Sequence, residues 1–148
     1  FIQDQSDDST FSEHDGVTTQ SNAPWHLDRV DARYGVDSKY QYSLDGSGVH
    51  VYILDSGLRA THADFGGRAT QTLDCTGGTN CRVCTETDAA CGYDDAGTGT
   101  HIAGVVGGGL YGIAKNVHLH GVKTLDATGT GTEDSIVAAL DWVVRNGQ

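Results

Sequence analysis

Short apolar runs separated by polar, glycine-rich stretches dominate the chain. The first run, residues 49–55, is β-branched and ends on an acid, which is typical of a buried strand in a parallel sheet. Residues 68–73 and 117–122 predict two further strands. Residues 102–106 predict a buried helix of small residues, and a second helix is expected to begin at Thr132. This order of strand, strand, helix, strand and helix predicts an α/β fold. The apolar stripe of the second helix consists of Ile136, Ala139, Leu140 and Val143.

The N-terminal segment, residues 1–20, follows no such pattern. It is polar and acidic, so we expect an extended or loosely held arm. Pro24 then suits the first turn of a helix that Leu27 and Val30 continue at helical spacing. Gly35 is expected to end that helix.

Charge and composition exclude several classes of function. The 148 residues include 20 acidic and 9 basic side chains, a formal net charge of -11. That balance argues against binding to nucleic acid or to anionic lipid, because both need a basic surface. No apolar run approaches the ~20 residues that span a bilayer. Glycine accounts for 21 residues, about twice the usual ~7%, so many tight turns and close backbone approaches are expected.

All four cysteines, Cys75, Cys81, Cys84 and Cys91, lie within one short stretch. Two local disulfides explain them best, with three connectivities open. The alternative is a zinc site, but only Cys81 and Cys84 have metal-ligand spacing. We therefore expect disulfides, no metal and no cofactor. Disulfides place the protein outside the cell or in the secretory pathway.

Five blocks, in order, resemble the subtilisin-like serine peptidases, nearest to the proteinase K type. Any single block would be weak, but their order and spacing make the resemblance specific. The blocks are QSNAPWHLDRV at 20–30, GVHVYILDSG at 48–57 with THADFGGRA at 61–69, GTGTHIAG at 97–104, YGIA at 111–114 with GVKTLD at 121–126, and GTG at 129–131 before a helix.

The resemblance implies a doubly wound, mostly parallel sheet, of which residues 21–148 would form the N-terminal half. It also implies a Ser-His-Asp triad, in which Asp55 matches the aspartate that orients the histidine. Phe1–Gln5 resemble the end of the family's inhibitory pro-domain, so residues 1–20 are interpreted as an acidic arm retained from it. On that interpretation the junction before Ser21 was never cut.

Thr98 stands where the family pattern has its catalytic histidine. A threonine hydroxyl cannot take a proton from serine near neutral pH. His101 matches a second, structural histidine of the pattern. It lies about 4.5 Å further along the helix axis, and a misplacement of only ~1 Å can reduce the rate about 10²-fold. We therefore do not expect His101 to replace the base, and His62 also matches a structural position.

Gly129, Thr130 and Gly131 match the family's substrate-binding edge, which pairs with an extended peptide through backbone hydrogen bonds. Glycine would keep that edge open to an approaching backbone. The alternative interpretation is a plain loop before a helix.

Three functions are consistent with the sequence. The first is a degenerate peptidase domain used as a structural or binding module, because Thr98 replaces the base and no Gly-Thr-Ser-x-Ala nucleophile block is present. The second is an active serine endopeptidase seen as a fragment or an inactivated variant. The third is a small metal-binding module built on the cysteine stretch. A half sheet would expose an unpaired edge, so the expected partner is the remainder of the peptidase domain or another chain.

Overall fold

The computed structural model describes residues 10–148, which fall into two compact units divided between Asp45 and Gly46. Each unit has its own sheet, and the first unit contains one buried apolar cluster and the second contains two.

The first unit is a three-stranded antiparallel sheet with one short helix. The strands are β1 (Phe11–His14), β2 (Val17–Ser21) and β3 (Lys39–Tyr42), and β2 lies between the other two. Helix α1 (Trp25–Asp31) packs against β3 and buries Leu27 completely.

Residues 11–21 are extended, which is one of the two forms expected for the N-terminal segment, and they are paired as a hairpin rather than loosely held. Asp15 and Gly16 both have positive φ, 54° and 75°, and they form a tight turn that pairs β1 with β2. An Asp-Gly pair between two strands is a known hairpin signal. The resemblance of Phe1–Gln5 to a pro-domain end lies outside the described residues, and the boundary at residue 20 stays a prediction.

Helix α1 ends at Asp31, before the expected stop at Gly35. The Asp28 carboxylate explains the early end: it accepts hydrogen bonds from the backbone N–H groups of Asp37 and Ser38. Those bonds fold the following segment back toward the helix.

The second unit confirms the predicted α/β alternation. Its strands are β4 (His50–Asp55), β5 (Ala69–Asp74), β6 (Arg82–Val83) and β7 (His118–Lys123). The order across the sheet is β4-β7-β5-β6, and only β6 pairs in the antiparallel sense. The two long helices are α2 (Thr98–Gly107) and α3 (Glu133–Asn146), and a 3₁₀ turn spans Ala63–Phe65.

The sheet of this unit has helices on both faces, as a doubly wound fold requires. Side chains alternate along each strand, so neighbouring residues reach opposite faces. Ile53 and Leu119 join a buried cluster that includes Ala103 of α2. Val122 instead packs with Ala139 of α3. The α/β fold with a mostly parallel, doubly wound sheet is thus confirmed.

The cysteine stretch contains two disulfides, Cys75–Cys81 and Cys84–Cys91. This pairing selects one of the three open connectivities and leaves no thiolate for zinc. Within residues 10–148, no group of three or more His, Cys, Asp or Glu side chains has the geometry of a metal site. Nor does any helix in the same range have the length and apolar character needed to cross a membrane.

Candidate active site

The candidate site forms where β4 ends. The backbone carbonyl of Asp55 accepts hydrogen bonds from the N–H groups of Thr124 and Leu125, at 2.8 and 3.1 Å. The Asp55 carboxylate accepts from the N–H of Ser56 at 2.7 Å. These bonds hold the end of β4 against the segment that leaves β7, as expected for a functional strand end in a parallel sheet.

A buried carboxylate that the sequence reasoning missed, Asp94, organises this site. It accepts hydrogen bonds from the Ser56 hydroxyl at 2.7 Å, the Gly97 N–H at 2.7 Å, and the Thr100 N–H and hydroxyl at 2.8 and 2.5 Å. Burial raises the pKa of Asp94, but the hydrogen bonds from Thr100, Ser56 and Gly97 outweigh it, so the pKa lies below its usual value. Asp94 lies four residues before the first residue of α2, and no motif in the sequence marks it.

Thr98 is the first residue of α2, and its side chain is exposed. Its Oγ1 lies 3.0 Å from the Oγ of Ser56, which also accepts a hydrogen bond from the Gly99 N–H. A side chain at Gly99 would collide with the Gly57 carbonyl, so only glycine lets α2 start this close to the Ser56–Gly57 turn. The structure thus brings Thr98 into contact with the residue that follows Asp55.

No histidine in the described range forms a hydrogen bond with the Asp55 carboxylate. His101 is exposed on α2, one turn beyond Thr98. His62 has a local role instead: its Nδ1 accepts from the Asp64 N–H at the start of the 3₁₀ turn, and its ring packs near Phe65.

Two cations brace the site, and sequence reasoning singled out neither. The buried ammonium of Lys123 donates to the Ser56 carbonyl and lies 3.4 Å from the Asp95 carboxylate. The Arg59 guanidinium donates to the Asp94 carbonyl at 2.9 Å. Both contacts are to backbone oxygens that no sequence motif marks.

The predicted substrate edge forms an exposed turn beside the site. The Asp126 carboxylate accepts hydrogen bonds from the Thr128 and Thr130 N–H groups, and the Asp126 N–H donates to the Thr130 carbonyl. The backbone of Thr130 is therefore engaged within the turn. Gly131 lies against the Thr124 carbonyl, where a side chain would collide. Its backbone N–H has no partner among the described residues.

Comparison with known proteins gives a consistent result. Residues 46–148 match the profile of the Subtilase family. Over 128 residues the chain is 42% identical both to Alkaline serine exoprotease A of Vibrio alginolyticus and to Extracellular serine proteinase of Thermus sp. (strain Rt41A). It is 38% identical over 141 residues to Proteinase T of Parengyodontium album.

The fold matches solved structures as well. A cold adapted subtilisin-like serine proteinase superimposes with a TM-score of 0.74 at 38% identity, over 86% of this chain and 44% of that one. Sphericase gives a TM-score of 0.67 at 27% identity. The chain spans 22%, 29% and 44% of the lengths of the three relatives named above. The chain therefore corresponds to less than half of the length of each of these relatives.

Proposed function

The chain belongs to the subtilase family, and from that membership we propose that it is a catalytically degenerate part of a serine peptidase domain, acting as a structural or binding module. One observation carries the proposal. At the start of α2, in contact with Ser56, the residue that follows Asp55, lies the hydroxyl of Thr98 rather than an imidazole.

The chemistry at this position supports inactivity. A serine peptidase needs a base that removes the proton from the serine hydroxyl and later returns it to the leaving amine. The Thr98 hydroxyl is instead in hydrogen-bond contact with another hydroxyl, that of Ser56. Removing the base from a subtilisin reduces turnover on the order of 10⁶-fold.

Binding through the exposed turn is the function left to the site. We infer that Gly129, Thr130 and Gly131 accept an extended peptide, with the free N–H of Gly131 as a donor. The engaged backbone of Thr130 limits this pairing to fewer hydrogen bonds than a full strand edge would make. The partner would be such a peptide, the remainder of the peptidase domain, or both.

We further propose an extracellular or secretory location. Both cysteine pairs are oxidised, and disulfides persist in those compartments. One of the relatives is named an extracellular proteinase.

The second candidate is an active serine endopeptidase in which Thr98 is the one altered triad position. The intact surroundings favour it: Asp55 is held at its strand end, and Asp94 and Lys123 still brace the adjoining turn. Because Thr98 is exposed, a histidine there would displace no buried side chain.

A peptidase assay separates the two candidates. Peptide mapping of the polypeptide that carries this chain would first identify a serine nucleophile beyond Gln148. Hydrolysis of casein and labelling by a fluorophosphonate probe would then be compared for the parent, Thr98→His and the isosteric control Thr98→Val. We expect no turnover from the parent or Thr98→Val, and a gain on the order of 10⁶-fold for Thr98→His where a nucleophile is present. Probe-sensitive turnover by the parent itself would overturn the proposal.

A further inference from the structure

Three histidines and one tyrosine form a ladder of rings on the face of the sheet that α3 covers. His50 and Tyr52 come from β4, and they pair in register with His118 and His120 of β7. Adjacent rings stack with centroids 4.8 Å apart for His50 and His118, 5.1 Å for His50 and His120, and 4.5 Å for Tyr52 and His120. We call this group the ring ladder.

Both ring nitrogens of His120 form hydrogen bonds, one to a ladder histidine and one to a neighbouring strand. Its Nε2 lies 2.8 Å from Nδ1 of His50, and its Nδ1 lies 3.1 Å from the hydroxyl of Thr72. A bond between two imidazole nitrogens needs one of them to lack a proton. The ladder is therefore compatible with one shared proton between His50 and His120 and incompatible with two.

The ladder also contacts the end of α3. The Tyr52 hydroxyl accepts a hydrogen bond from the Gln148 N–H at 3.1 Å. A Cβ added at Gly147 would lie 3.5 Å from the same hydroxyl, so the chain passes directly over the tyrosine. The ring of Tyr52, whose hydroxyl makes this contact, stacks on the ring of His120.

We propose that the ring ladder is a pH-sensitive latch that fastens the C-terminal end of α3 to the sheet and releases it when His50 and His120 both become imidazolium. In that state both facing nitrogens carry a proton, so the hydrogen bond between the two rings is lost and two like charges lie at hydrogen-bond distance. The rings then separate, and Tyr52 loses the stacking that orients its hydroxyl toward Gln148.

No opposite charge offsets those two imidazolium charges. The groups that face His120 are His50 and Tyr52 from β4, His118 from β7 and the uncharged Thr72 from β5. The charged side chains near the end of α3, Asp141 and Arg145, form an ion pair with each other on the surface. Within residues 10–148, no carboxylate forms an ion pair with any of the three ladder histidines.

The direction of the effect follows from His120. Burial lowers the pKa of His120 below 6.5, and the charges of His50 and His118 lower it further. The released state therefore binds more protons than the latched state as the pH falls below about 6.5. The latch is fully closed above that pH and weakens below it.

Hydrogen exchange read by mass spectrometry tests the proposal on the intact polypeptide. Protection of the peptide that covers residues 140–148 would be measured at pH 7.5 and 5.5, corrected for intrinsic exchange and compared with the peptide that covers α2. We expect the protection of residues 140–148 to fall at the lower pH relative to that of α2. The expected fall is about tenfold for each pH unit over which the latched state binds one proton fewer than the released state. Equal protection at both pH values would overturn the latch.

Variants make the test specific. His120→Phe keeps a ring to stack on Tyr52 but cannot titrate, so the pH-dependent loss should disappear. His14→Phe is the control, because the His14 side chain is 90% exposed and outside the ladder, and the loss should persist. Should His120→Phe not fold, His120→Gln serves instead, since glutamine can still bond to His50 without taking a proton. A pH-dependent loss that persists in the His120 variant contradicts the proposal.

Discussion

At the scale of single residues, the buried carboxylate of Asp94 connects the elements of this site, although no sequence motif marks it. Its two oxygens receive four hydrogen bonds, and these join the end of β4 to the start of α2. Asparagine is nearly isosteric but presents an NH₂ group where two donors already point. Removing one partner from a buried charged network is therefore expected to destabilise the fold by about 2–3 kcal/mol.

Urea unfolding of Asp94→Asn would measure this loss, with Asp95→Asn as the matched control. Asp95 is half exposed and lies 3.4 Å from Lys123, so its substitution should change stability by less than about 1 kcal/mol. Because the folded-state pKa of Asp94 is lowered, its contribution is present above about pH 3.8 and is lost as the pH falls through the folded-state value. Equal midpoints for the two variants would argue against Asp94 as the organiser.

At the scale of elements, two glycines of α2 should respond oppositely to the same substitution. Alanine favours a helix over glycine by up to about 1 kcal/mol. At Gly104 nothing lies within 4 Å of an added Cβ, so Gly104→Ala should stabilise the domain by roughly that amount. At Gly99 the Cβ would meet the Gly57 carbonyl, so Gly99→Ala should destabilise by about 1–3 kcal/mol.

Chemical denaturation of the two variants checks this pair. Stabilisation by both would mean that α2 can retreat from the Ser56–Gly57 turn without loss, and the close approach would then have no role in placing Thr98.

At the scale of the whole molecule, residues 46–148 form a sheet with an open edge and an exposed apolar surface. Among the described residues β4 pairs only with β7, so its other edge is open. Helix α3 also exposes apolar side chains, with Val137 64% and Val144 84% accessible. Open edges and apolar faces promote association.

We therefore expect the isolated 148-residue chain to self-associate and to melt without a single cooperative transition. Sedimentation equilibrium and calorimetry would show this, with added remainder of the peptidase domain as the rescue. A monomeric 15.6 kDa species that melts cooperatively would refute the expectation.

The sequence by itself determined the strand and helix order of the second unit and the family. The apolar run at residues 49–55 predicts a strand, and the helical spacing of apolar residues predicts α3. The family blocks are recognised from the order of residues alone. It also placed Asp55 and Thr98 as candidates. The Asp-Gly pair at residues 15–16 also carries a local hairpin signal.

Only the tertiary structure decided the rest, because contacts between distant residues leave no periodic trace. Asp94 meets Ser56 across 38 positions of sequence, and His50 meets His120 across 70. The disulfide pairing was likewise open, since four closely spaced cysteines allow three pairings and only the path of the chain brings each pair within bonding distance. Spacing along the chain selects elements; their packing selects which side chains meet.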